Sequence, residues 1–319
     1  MMNRKIFKKG FVLLTCLIPF LPLLRCSPRQ YPDSRFAACY PNHPYDTSSF
    51  HWTDPTDSVI RGLKSRYTGY SLLVANSAGL LISIADYERE KSRLNNKENA
   101  LQRIGILEQR EIIINRINLF RSQVASVAAE LDCEGERADQ LSVYLDKIDH
   151  KRTKNLTVAS ILSGAIGAVA AAALQGDQSR TAAIAGGIGS AVLGLISLSS
   201  NKKVSYNHPR NLLADIWLIP KRSKYYPGMV WNMLSHAQFS NSGEFSVAFN
   251  TRKGWQNYWG LKASDKGADK KIKLLMGQGG EYTADELKLR ANMLNQLQAA
   301  VKLIDQDIQG LLSEIANEK

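Results

Sequence analysis

The stretch IINRINLFRSQVASVAAELDCEGERADQLSVYLDKI, residues 113–148, repeats one side-chain pattern along its length. Intervals of four and three residues alternate, and ten of the eleven positions on this stripe are apolar. The stripe consists of Ile113, Ile117, Phe120, Val124, Val127, Leu131, Glu134, Ala138, Leu141, Leu145 and Ile148. This heptad spacing predicts a helix that packs along one face on another helix, as in a coiled coil. Glu134 and Gly135 interrupt the pattern, and because its phase continues across them we expect a kink rather than a long loop.

A second helix of the same kind is predicted at the C-terminal end, in residues 281–319. Thr283 and Glu286 have the spacing of a capping box. Eight of the nine positions on the stripe that follows are apolar: Leu287, Arg290, Leu294, Leu297, Val301, Ile304, Ile308, Leu311 and Ile315. An apolar stripe of this length needs a partner, which is either the 113–148 helix or the same helix of another subunit.

Between the two stripes lies a segment rich in alanine, glycine and serine, residues 156–200, whose only ionisable side chains are Asp177 and Arg180. Small residues recur at every fourth position in each of its two arms: Ser160, Gly164, Ala168 and Ala172, then Ala182, Gly186, Ser190 and Gly194. Stripes of small side chains let two helix backbones approach closely, as in membrane helices. Each arm would be roughly 28–30 Å long as a helix, which matches the ~30 Å hydrocarbon thickness of a bilayer. The sequence therefore predicts a helical hairpin that associates with a membrane.

The flanks and the composition of this hairpin segment (residues 156–200) qualify that expectation. Basic residues flank both ends and would form a collar on anionic headgroups: Lys151, Arg152 and Lys154 before it, Lys202 and Lys203 after it. Each arm holds only seven large apolar residues, so insertion of one arm alone would be marginal. The alternative is a soluble hairpin buried within an oligomer of long helices.

Residues 160–194 resemble the glycine-zipper hairpins of bacterial envelope proteins and of some membrane-inserting proteins. The resemblance rests on the small-residue spacing and covers about a ninth of the chain. It implies helix-to-helix packing in or on a membrane, with lipid and other helices as partners.

The N-terminal segment has the pattern of an export signal. Basic residues precede an uncharged apolar run, residues 10–24, which is short and contains two prolines. We expect residues 1–26 to be a signal peptide; the alternative is an anchor that stays attached. Cys26 follows the apolar run where a lipoprotein carries its lipidated cysteine, although Arg25 departs from the usual small residue. In an oxidising compartment, Cys39 and Cys133 would remain to form a disulfide or would stay as two thiols.

The predicted fold class is mainly α, and changes in composition mark its segments. An extended linker (27–57) precedes a helical coiled-coil region (58–155), the hairpin segment, a Trp-rich mixed subdomain (201–280) and the C-terminal coiled-coil helix. Within these, SLLVANSAGLLISIA (71–85) is predicted to be a further small-striped helix that packs on the hairpin. EFSVAFN (244–250) is predicted to be a strand, NLLADIWLIP (211–220) a short helix or strand, and GQGGEY (277–282) a flexible turn.

No motif in the sequence predicts a reaction. None of the five histidines has a metal-ligand spacing with Cys, Asp or Glu, and no nucleophile or phosphate-loop pattern is present. The net charge of +12 suits an anionic membrane surface, and we expect no nucleic-acid partner for an exported chain. We expect a non-enzymatic, exported bacterial envelope protein that associates with a membrane through the hairpin and assembles through its coiled coils with itself or with partner helices. We expect neither a cofactor nor an identified small-molecule substrate. The alternatives are a secreted membrane-permeabilising protein and an envelope enzyme whose site lies in the Trp-rich region.

Overall fold

The computed structural model describes residues 39–46, 57–94, 100–173 and 202–316, and this part of the chain is mainly helical, which confirms the predicted fold class. In chain order the elements are α1 (Ser58–Leu63), α2 (Gly69–Ser77), α3 (Leu81–Ser92), α4 (Ala100–Ala173), β1 (Val204–Asn207), α5 (Leu212–Leu218), α6 (Gly228–Ser235), a 3-10 turn (Ala237–Phe239), α7 (Val247–Tyr258), α8 (Ala268–Met276), β2 (Gly279–Tyr282) and α9 (Ala284–Ala316).

The core is formed mainly where α9 packs along the first half of α4. All nine positions of the α9 stripe are buried, and so are the α4 positions from Ile113 to Leu145. The two helices run antiparallel, since Gln298 donates to Asp132 at 2.7 Å while Arg121 donates to Asp305 at 2.9 Å. The stripes read from the sequence are therefore the surfaces that these two helices bury, in one chain.

Helix α4 continues without interruption through Glu134 and Gly135. A Cβ atom at Gly135 would lie only 2.7 Å from Oδ1 of Asn295 on α9, so the glycine matches a close approach of the two helices. Glu134 is buried, and Arg137 donates to its carboxylate at 2.8 Å. No break or turn occurs at this point, because the close helix contact and the ion pair accommodate both residues within the helix.

The prediction of one helix over residues 71–85 is wrong. Helix α2 ends at Ser77, Gly79 adopts a left-handed φ of 68°, and α3 begins at Leu81. The turn divides the small-residue stripe Ser71, Ala75, Gly79 and Ser83 between two helices. Helix α2 is fixed to α9 through its N-cap, since the amide and hydroxyl of Thr68 donate to Glu314 at 2.9 and 2.7 Å.

The two strands form one antiparallel pair in which Val204 lies opposite Tyr282 and Asn207 opposite Gly279. The prediction of a flexible turn at residues 277–282 is therefore wrong, because most of that segment is β2. A Cβ atom at Gly279 would lie 2.3 Å from the Tyr206 carbonyl oxygen, and its φ of 114° is unfavourable for other residues. The glycines thus allow close strand pairing.

The Trp-rich segment is otherwise helical. The predicted strand in residues 244–250 is wrong, since the Ser246 side chain accepts from the Phe249 amide and caps α7. The short element predicted around residues 211–220 is helix α5, which Asn211 caps. The helix ends at Leu218, and the next residue, Ile219, has a left-handed φ of 49°.

A disulfide joins Cys39 to Cys133 on α4, with a Cα separation of 5.6 Å. The segment that follows Cys39 also contacts the Trp-rich part, since the Gly228 amide donates to the Asp46 carbonyl at 3.1 Å. Arg210 lies over the Tyr45 ring at 5.0 Å. Residues 39–46 therefore connect α4 to α6.

Candidate functional site

Helix α4 extends far beyond its contact with α9. Since α9 is antiparallel and Asn295 faces Gly135, α9 begins about eleven residues further along α4, close to Leu145. Among the α4 side chains that the structure describes, Leu145 is the last that is buried, and none of those described between residues 146 and 169 is buried. The remaining length to Ala173 is about 42 Å at 1.5 Å per residue. This segment, residues 146–173, is called the projecting end.

Large apolar side chains are exposed on the projecting end. Exposure reaches 65% for Ile161 and 70% for Val169, and Val158 and Leu162 are also exposed. The described part of the chain thus holds a helix whose apolar surface has no cover. Two of its hydroxyls bond to the helix backbone, because Ser160 donates to the Thr157 carbonyl at 2.8 Å and Ser163 to the Ser160 carbonyl at 2.9 Å.

The structure describes the first small-residue stripe only in part. Ser160 and Gly164 are partly exposed and Ala168 is exposed, while Ala172 belongs to the last turn of α4. The second stripe (Ala182, Gly186, Ser190 and Gly194) lies outside the described residues, as does Cys26. The pairing of the two arms is therefore not part of the described structure.

The basic collar predicted from the sequence lies where α4 leaves the core. Lys151 and Lys154 are exposed, and Arg152 is partly exposed. The Lys202 amide donates to the Asp149 carboxylate at 3.4 Å, which brings residues 202 and 203 to the base of the projecting end. The structure thus brings together two groups of basic residues that are about fifty positions apart in the sequence.

A buried polar cluster, which the sequence did not predict as a site, fixes β1 to the two long helices. The Tyr206 hydroxyl donates to Glu134 Oε2 at 3.0 Å, and the guanidinium groups of Arg137 and Arg290 lie 5.0 and 6.0 Å from the Tyr206 ring centre. Burial, and then the charge of Glu134, raise the pKa of Tyr206. The sequence signal that could have indicated this cluster is the single charged residue in each apolar stripe, Glu134 in α4 and Arg290 in α9.

His208 and Tyr282 extend this cluster into the strand pair. The His208 Nε2 lies 2.8 Å from the Tyr282 hydroxyl. Burial, followed by the positive charge of Arg290, lowers the pKa of His208 to about 2, and burial raises the pKa of Tyr282 to about 12. His208 is 1% exposed, so this cluster is placed to hold the strands on the helices rather than to meet a substrate from solvent.

Open grooves also lie on the described surface, and two of them border the long helices and the strand pair. One, of about 750 Å³, lies between α4 and α9 and has alanines on its floor. The other, of about 440 Å³, lies between Lys203, α8 and β2. Among the described residues, no group of three His, Cys, Asp or Glu side chains is placed to hold a metal ion.

No family model, curated protein or solved structure matches this chain. Among the helices in the described ranges, none combines the length and the apolar character needed to cross a membrane.

Proposed function

We propose that this chain is an exported, non-enzymatic protein of the bacterial envelope that associates with a membrane through the hairpin segment. The observation that carries this proposal is the projecting end of α4, which places exposed apolar side chains such as Ile161 and Val169 beyond the core. Exposed apolar surface of this kind marks a site of contact with lipid or with another protein. The α4–α9 pair would be a coiled coil, and the hairpin segment a glycine zipper.

Three further features support the membrane as the contact. The resemblance of residues 160–194 to glycine-zipper hairpins implies contact with a membrane. The serine hydroxyls of the projecting end are bonded to the helix backbone, which lowers the cost of moving them into lipid. The basic collar stands at the base of the projecting end, where headgroups would meet it. The Cys39–Cys133 disulfide is typical of an oxidising compartment and supports export.

Cell fractionation tests this proposal. We expect the protein in the membrane fraction to resist a carbonate wash and to dissolve in detergent, with a mature N-terminus near Cys26 by mass spectrometry. The variant Ile161→Glu/Val169→Glu should move into the carbonate wash. A matched control, Leu218→Glu/Leu303→Glu, changes two exposed apolar residues of α5 and α9 and should behave as the wild type. Release of the wild type by carbonate alone would refute attachment through the hairpin segment.

A second candidate function is permeabilisation of a membrane by several copies of the chain. The seven large apolar residues of each arm make insertion of one arm marginal, so insertion would depend on assembly through the small-residue stripes. Dye release from liposomes tests this candidate. We expect release by the wild type and loss of release in Gly164→Leu/Gly186→Leu, while Gly105→Leu, at an open surface position of α4, should be without effect. Absence of release from the wild type would exclude this candidate.

A further inference from the structure

We propose that lysines on α8 and before β1 form a docking surface for anionic phospholipid headgroups, which holds the core against the membrane that receives α4. The surface consists of Lys203, Lys270, Lys271 and Lys273 and is called the lysine surface. It rests on the proposed function, because it assumes that the projecting end of α4 meets a bilayer.

The lysine surface surrounds an open groove of about 440 Å³ between β1, α8 and β2. Helix α8 is amphipathic: Ala268 and Leu275 are buried, whereas Lys270 and Lys273 are exposed. The buried residues fix α8 on the core and thereby direct these lysines to one side. A groove with several ammonium groups at its edge is suited to phosphate-bearing headgroups, which Lys binds as a point charge.

The carboxylates at the groove are fewer than the lysines. Glu281 and Glu286 line it, and Glu286 already accepts from the amide and the hydroxyl of Thr283 at 2.9 and 3.1 Å. None of the ion pairs found among the described residues involves a member of the lysine surface. The excess positive charge of the groove is therefore available to an anionic partner.

The position of the lysine surface favours a membrane over a free anion. Lys203 follows Lys202, whose amide donates to Asp149 at 3.4 Å, at the base of the projecting end. The exposed collar residues Lys151 and Lys154 follow Asp149 on α4. A bilayer that receives the projecting end would thus face both the collar and the lysine surface, and each lysine near an anionic leaflet strengthens binding.

Vesicle co-sedimentation of the full chain tests this inference. The probes are vesicles of phosphatidylcholine alone and of phosphatidylcholine with ~30% phosphatidylglycerol. The variant Lys270→Gln/Lys271→Gln/Lys273→Gln is compared with Lys221→Gln/Arg222→Gln/Lys302→Gln, which removes the same charge from exposed positions elsewhere. We expect the first variant to bind the anionic vesicles about tenfold or more weakly than the wild type, and the control to stay within about twofold.

The outcomes separate the two proposals. A tenfold loss confined to the first variant and to anionic vesicles supports the lysine surface. If that variant binds anionic vesicles as well as the wild type, the lysine surface is refuted while membrane association stands. Equal losses of vesicle binding in both variants would indicate that net charge alone decides binding, and this result would also refute the lysine surface. If the wild type binds neither vesicle, the proposed function fails first and the lysine surface with it.

Discussion

Glu134 of α4 and Arg290 of α9, the one charged member of each apolar stripe, both contact the side chain of Tyr206. The Glu134 carboxylate accepts from the Tyr206 hydroxyl at 3.0 Å, and the Arg290 guanidinium lies 6.0 Å from the centre of the ring. Arg290 also donates to the Leu275 carbonyl at 2.9 Å and is 1% exposed. The two interruptions of the apolar pattern are therefore the points where the strand pair is attached to the helices.

The first prediction concerns the Glu134–Arg137 ion pair within this attachment. Glu134→Ala leaves the Arg137 guanidinium, whose side chain is 13% exposed, without its carboxylate partner. We expect a loss of about 3 kcal/mol in the free energy of unfolding, because an uncompensated buried charge is costly. Urea denaturation followed by circular dichroism measures this loss.

The control and a second variant make the test specific. Glu136→Ala changes an exposed neighbour on the same helix and should cost less than about 0.5 kcal/mol. Glu134→Leu/Arg137→Leu removes both charges and should be more stable than Glu134→Ala. If Glu134→Ala is no less stable than the Glu136 control, the ion pair does not contribute as described.

The sequence predicted the long helices because each apolar stripe is a local pattern, and the residues of the stripe are those that the folded chain buries. Ile113 and Leu145 mark the buried part of α4, and every member of the α9 stripe from Leu287 to Ile315 is buried. The sequence did not predict the role of Glu134 or Arg290, because the residue they share, Tyr206, lies on a strand far away in the chain. Partners that meet only in three dimensions leave no periodic signal.

The second prediction concerns the pH dependence of stability at His208. The pKa of His208 is lowered to about 2 in the folded state, against an ordinary value near 6.5. As the pH falls below ~6.5, the unfolded chain takes up a proton that the folded chain does not, so stability is lost. Between pH 7 and pH 5 the wild type should lose up to ~2 kcal/mol more than His208→Gln. Urea denaturation at pH 7 and pH 5 measures these losses. If the wild type and His208→Gln lose equal amounts of stability between the two pH values, the burial of a neutral His208 is contradicted.

The third prediction concerns the Cys39–Cys133 disulfide, which closes a loop with a sequence separation of 94 residues. Cys39→Ser/Cys133→Ser should lower the free energy of unfolding by about 2–4 kcal/mol, because the unfolded chain gains freedom. A reductant should bring the wild type to the stability of the double variant and leave that variant unchanged. Thermal unfolding with and without the reductant measures both effects. An unchanged midpoint of the reduced wild type would show that the disulfide does not contribute to the stability of the folded chain.

The strand pair and the turn in residues 71–85 illustrate why other elements were not predicted. Gly279 and Gly280 belong to a strand that has too few apolar residues for an alternating pattern, and pairing with β1 decides its structure. In the sequence, Gly79 could belong to a helical stripe or could end a helix. Its left-handed φ shows that it ends a helix. In the candidate site, the sequence predicted the basic residues but not that Lys202 lies beside Asp149.

The central claim is that the projecting end of α4 enters a membrane. The most direct measurement places an environment-sensitive fluorophore at Ile161→Cys, in a chain whose Cys16 and Cys26 are replaced by serine, and adds phospholipid vesicles. The same label at Leu303→Cys provides the control, since that residue is also exposed but lies on α9, away from the projecting end. We expect a blue shift and protection from an aqueous quencher at residue 161 and no change at residue 303. An unshifted, fully quenched signal at residue 161 in the presence of vesicles would contradict the claim.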